Sequence, residues 1–93
     1  MISLESYPRR CEDLACRVID GEAVILTTDG RNVHSLNRVG SVIWELSDGT
    51  RSIKEIVSLI SERFGVPFAV AKSDVLEFQA QLADKNLLEI ISI

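Results

Sequence analysis

The sequence predicts an α+β domain, a three-stranded antiparallel β-meander followed by three helices. Three observations carry this prediction. Two Asp-Gly pairs, Asp20-Gly21 and Asp29-Gly30, cut a β-branched stretch into short runs, and Asp-Gly supplies the positive φ angles of a type I′ hairpin turn. From Asn37 onward the apolar residues fall at helical spacing. Capping and stop signals then divide this second half into three segments.

The strands are expected at 15–19, 22–28 and 31–36. The second is apolar and β-branched through Val24, Ile25 and Leu26, as suits a central strand covered on at least one face. The third is more polar. Asn32, His34 and Leu36 fall on one of its faces, Val33 and Ser35 on the other. A polar strand closing a meander is expected at the sheet edge, with unpaired backbone groups.

The first helix shows a stripe of Val39, Ile43 and Leu46, widened by Val42 and Trp44, with Asn37 as N-cap and Gly49 as stop. Trp44 reads as a core residue. The second opens on Ser52-Ile53-Lys54-Glu55, a capping box in which each end satisfies an orphan backbone N–H. Its stripe is Ile53, Ile56, Val57, Ile60 and Phe64, and Gly65 ends it. Pro67 suits a first helical turn. The third helix is expected over 68–85, with a core stripe of Ala71, Val75, Phe78 and Leu82 and a flanking stripe of Leu76, Ala80 and Ala83. The apolar tail 87–93 is either a short final strand or a segment tucked under the sheet. The short turn between the second and third helices gives a helix-turn-helix arrangement.

At 93 residues the chain is long enough for a single domain, expected over 1–93 with its core at about residues 14–90. A membrane span needs about 20 consecutive apolar residues, and no run approaches this. The first ten residues lack the apolar centre of a secretory signal, so the cytoplasm is the expected address. Two cysteines, Cys11 and Cys16, stand beside a single histidine, His34. Together they fall short of the four ligands of a tetrahedral zinc. Reduced, small, buried or half-buried thiols are the expectation, with no metal and no cofactor.

Catalysis needs a convergent set of reactive groups, and the chain offers one histidine, no nucleophile elbow and no glycine-rich phosphate loop. An enzyme is therefore not expected. A DNA-reading third helix needs basic residues facing phosphate. This one sets Lys72 and Lys85 against Asp74, Glu77 and Asp84 and holds no arginine, in a chain of net charge −4. No nucleic-acid partner is expected, although a helix-turn-helix regulator stays open as an alternative, as does a structural subunit docking on an enzyme. The positive feature is geometric. If the third strand and third helix lie side by side, a six-residue edge of roughly 20 Å faces a helix of roughly 25 Å. An extended peptide then fits between them as an added strand. The small residues of the flanking stripe suit such a groove wall. They equally suit packing against the tail, and periodicity does not separate the two.

Several segments together resemble the PqqD-like family, that of pyrroloquinoline quinone biosynthesis protein D and the RiPP recognition elements. They are Gly21-Glu22-Ala23-Val24-Ile25-Leu26, Leu36-Asn37-x-x-Gly40-x-x-Ile43-Trp44-Glu45-Leu46, Asp48-Gly49-Thr50-Arg51-Ser52-Ile53-x-Glu55-Ile56, and Asp74-Val75-x-x-Phe78-x-x-x-Leu82 with Leu87-Leu88. The resemblance implies a small, non-catalytic, winged helix-turn-helix-like domain. It implies binding of the leader of a ribosomally made precursor peptide, and presentation of that peptide to a modifying enzyme such as a radical SAM protein. Carried over by position, the pairing edge is Arg31, Asn32, Val33, His34 and Ser35, and the helix wall is Leu76, Gln79, Ala80 and Ala83. Leu36, Asn37, Gly40, Trp44, Val75 and Phe78 read as fold determinants. Two departures stand out. Val33 and His34 occupy positions often aromatic in the family, and the third helix starts without an acidic first turn. The open edge and apolar tail also allow a homodimer.

Overall fold

The computed structural model describes residues 2–27 and 30–91. These residues form five strands and three helices: β1 (Tyr7–Arg10), β2 (Leu14–Ile19), β3 (Glu22–Thr27), β4 (Val33–Ser35), α1 (Arg38–Leu46), α2 (Ile53–Phe64), α3 (Phe68–Asp84) and β5 (Leu88–Ile91). The α+β architecture, the meander and the three helices are as the sequence predicts. The strands form two sheets, β2-β3-β4 and β1-β5, both antiparallel.

The first hairpin turn behaves as its residues demand, with Asp20 at φ 53° and Gly21 at φ 80°, the two positive angles of a type I′ turn. Thr28 and Asp29 lie outside the described residues, and Gly30 takes φ 69°. The third strand is shorter than the expected 31–36. The Asn32 backbone is used locally, since its N–H donates to Thr27 Oγ1 and its carbonyl accepts from the Thr27 N–H at 3.1 Å. At the other end the Leu36 N–H still donates to the Ala23 carbonyl. The Ala23 N–H, however, turns to Ser41 Oγ at 2.7 Å. A side chain of α1 thus replaces the strand partner where the chain leaves the sheet.

Helix α1 starts at Asn37, whose Oδ1 accepts from the Gly40 N–H at 2.7 Å. It ends at Leu46, before the expected Gly49, because Ser47 caps it and Ser47 Oγ donates to the Ile43 carbonyl. Both halves of the α2 capping box form, and Gly65 closes the helix at φ 64°. Helix α3 begins after Pro67 with no side-chain cap and no acidic first turn. It ends in a Schellman motif. Asn86 takes φ 60°, Leu87 N–H donates to the Leu82 carbonyl and Asn86 N–H to that of Ala83, and Leu82 and Leu87 share one apolar cluster. That turn aims the tail into β5. Ser92 and Ile93 lie outside the described residues.

Strand β1 was not expected, and it lies before the predicted core boundary at residue 14. It pairs with β5 on one side. On the other, its Arg10 N–H donates to the Ser47 carbonyl and its Pro8 carbonyl accepts from Gly49. Arg10 also reaches the Trp44 and Glu45 carbonyls at 2.7 Å each, placing a cation on the C-terminal carbonyls of α1. Just upstream, Ser6 and Leu4 carbonyls accept the first-turn N–H groups of Ile53 and Lys54.

Two apolar clusters fill the interior. Val42, Ile43, Ile53, Ile56, Val57, Ile60, Ala71 and Val75 join the three helices. Ala23, Ile25, Leu36, Trp44, Leu82, Leu87 and Leu88 join the sheets to α1 and α3. Phe78 packs against both. Trp44 is 4% exposed, a core residue as expected. Among the described residues no helix is long and apolar enough to cross a membrane.

Candidate functional site

Among the described residues, strand β4 pairs with β3 on one side only. Its hydrogen-bonding phase follows from the bonds flanking it. Leu36 bonds Ala23, and Thr27 bonds Asn32. Bonded pairs alternate along an antiparallel ladder, so His34, opposite Ile25, directs its N–H and carbonyl inward to β3. Val33 and Ser35 direct theirs outward. The free edge therefore offers the donor and acceptor of two residues, over roughly 10 Å of strand, about half the length that the sequence implied.

This edge faces a cavity of about 730 Å³ lined by Val33, His34, Ser35, Leu36 and Asn37, by Val39, Gly40 and Ile43 of α1, by Asp74, Glu77, Phe78, Gln81, Leu82 and Lys85 of α3, and by Leu87. The groove between the third strand and the third helix thus exists. Its floor is apolar and its helix wall is polar, with Asp74 and Glu77 towards one end and Lys85 at the other. The close approach of α1 to α3 depends on Gly40, where a Cβ would stand 3.0 Å from the Phe78 ring and 3.1 Å from Asn37 Oδ1.

Of the expected edge residues, Val33, His34 and Ser35 line the groove. Arg31 and Asn32 are exposed in the turn before it, and the Asn32 backbone is already bonded to Thr27. None of the four expected wall residues lines the groove. Gln79 is fully buried, and its Nε2 donates to Ser47 Oγ at 3.0 Å. Leu76 packs on the helical cluster, Ala80 is exposed and Ala83 half-buried. The reason is rotational. Each residue turns a helix by about 100°. Gln79, one turn beyond buried Val75, falls on the core face. Leu76, Ala80 and Ala83 fall on one flank of that face, and Asp74, Phe78, Gln81 and Lys85 on the other. The missed signal is the i, i+4, i+7, i+11 row Asp74-Phe78-Gln81-Lys85, whose polar members flank a core phenylalanine.

The chemistry of the site suits binding. Among the described residues no hydrogen bond orients the His34 side chain. Cys11 and Cys16 are free thiols. Cys11 is half-buried, which pushes its thiol pKa up, while Cys16 is exposed rather than buried.

Fold and groove together define a class: small winged helix-turn-helix-like domains with an open strand edge facing a helix. The chain belongs to the PqqD family, since residues 22–88 match coenzyme PQQ synthesis protein D (PqqD). No curated protein matches it. Two solved structures are similar. TbiB1 in complex with the TbiA(beta) leader peptide superposes with a TM-score of 0.79 at 31% identity, over 87% of this chain and 94% of that one. The PqqD truncation of Methylobacterium extorquens PqqCD, described as a functional, stand-alone RiPP recognition element, gives a TM-score of 0.79 at 22% identity, over 96% and 95%.

Proposed function

We propose that this chain is a non-catalytic recognition domain for the leader of a ribosomally synthesised precursor peptide. The leader adds as a strand to β4, its backbone bonding to Val33 and Ser35 while alternate side chains enter the groove. The domain, acting as a single unit in the cytoplasm, thereby presents the peptide to a modifying enzyme, of which a radical SAM enzyme is one example. The observation that carries this reading is the outward-facing edge of Val33 and Ser35 on an apolar-floored groove. Family membership and the leader peptide bound by TbiB1 support it.

The test has two stages. Peptides co-purified with the tagged chain from its native lysate are sequenced, and a synthetic copy is titrated against wild-type and Val33→Pro protein. Proline removes the Val33 N–H, which bonds the guest and not β3, so the variant folds but binds at least tenfold more weakly. A variant with native circular dichroism and unchanged affinity would remove β4 as the docking edge.

A further inference from the structure

A second concave surface lies across α1 from the groove. A cavity of about 540 Å³ between β2 and α1 is lined by Arg10, Val18, Arg38, Val42 and Arg63, among others. A smaller one of about 250 Å³, lined by Leu59 of α2, shares Val42 and Arg63 with it. The two form one trough along α1. Its walls carry exposed apolar side chains, with Val18 66% and Leu59 40% exposed. Val18 stands opposite Ala23 and so shares the sheet face turned towards α1.

The charge of the larger cavity opposes that of the whole chain. Arg10, Arg38 and Arg63 line it against one carboxylate, Glu45, in a protein of net charge −4. Arg10 spends its guanidinium on main-chain carbonyls. Among the described residues neither Arg38 nor Arg63 is in an ion pair. The extension adds one carboxylate, Glu62. Unpaired guanidiniums beside exposed valine and leucine favour an occupant that brings both carboxylates and apolar anchors.

We propose that this trough docks an acidic segment, carrying one or two apolar side chains, of a partner protein. Gly40 lines the groove and Val42 the trough, and two residues of helix are about 200° apart. The trough therefore stays open while the groove is filled, and a partner seated there meets the peptide without displacing it. That the partner is the modifying enzyme rests on the peptide-recognition reading; the surface itself does not.

The probe is an acetylated, amidated twelve-residue peptide of glutamate and leucine, with leucines at helical spacing, and a control with glutamine for every glutamate. Each is titrated into the full chain and followed by amide NMR. The expected result is movement of Val18, Arg38, Val42, Leu59 and Arg63 with Val33–Ser35 still. The glutamine control and the Arg38→Glu/Arg63→Glu double variant bind at least tenfold more weakly, and that variant keeps wild-type affinity for the leader peptide. Unmoved resonances at millimolar peptide, shifts confined to the groove, or equal binding of the control would overturn the proposal. So would concentration-dependent shifts of the trough residues without peptide, which would make a second copy the occupant. Loss of leader binding by wild-type protein with trough binding intact would sink the recognition reading alone.

Discussion

The two flanks of α3 differ in composition and in what they face. One carries Leu76, Ala80 and Ala83, mostly small and apolar. The other carries Asp74, Gln81 and Lys85 around Phe78. By composition the first resembles a groove wall and the second a solvated surface, yet the second faces the open edge of β4. A wall is defined by what stands opposite it. Small residues beside a core stripe leave room for a guest only where an unpaired strand lies across from them, and here that strand lies on the polar side.

Four substitutions break or sharpen this contrast. The largest effect is expected at the base of the groove flank. Gly40→Ala brings a Cβ against Phe78 and Asn37 Oδ1. Phe78 is wedged between both apolar clusters, and the Asn37 oxygen is held by its cap bond. Overpacking here outweighs the helix-propensity gain of about 1 kcal/mol and leaves a net loss of about 1–2 kcal/mol, read by urea denaturation. Next is a matched pair at exposed positions. Gln81→Trp fills the groove and weakens leader binding at least tenfold, about 1.4 kcal/mol, whereas Ala80→Trp leaves it within twofold. Equal losses from both would mean that the guest contacts both flanks. The smallest effect is on the core face between them. Gln79 Oε1 has no hydrogen-bond partner among the described residues, and leaving a buried acceptor unmade costs about 1–3 kcal/mol. Gln79→Met removes that orphan at similar volume, while Ser47 Oγ keeps its bond to Ile43. Stability should stay within about 1 kcal/mol of wild type by thermal melting, and a drop above about 3 kcal/mol would show that the Gln79–Ser47 bond holds α3 to the end of α1.

The legible parts of the fold were those with local chemistry. Asp20-Gly21 fixes the first hairpin, Ser52 and Glu55 open α2, and Gly65 closes it, each through bonds within a few residues. Strand β1 was hidden because nothing local marks it. It contains a proline and two arginines, and among the described residues its partners are all distant: β5, the Ser47–Gly49 segment and the end of α1. The stop at Asn86 was legible in principle, since asparagine tolerates the left-handed region. In the site, the edge strand was readable from its polarity, and its length was not. Whether Asn32 bonds to a guest or to Thr27 depends on how the turn closes. The wall was lost to rotation, since periodicity gives a helix its faces and not their neighbours.

The central claim is that the guest pairs with β4 through Val33 and Ser35. Amide hydrogen exchange at 33–35, with and without saturating leader peptide, tests it directly. His34, bonded to β3, should be protected in both states, while Val33 and Ser35 exchange freely in the unbound chain and become protected on binding. Val33 and Ser35 amides that exchange equally fast in the free and the saturated protein would contradict strand addition at this edge.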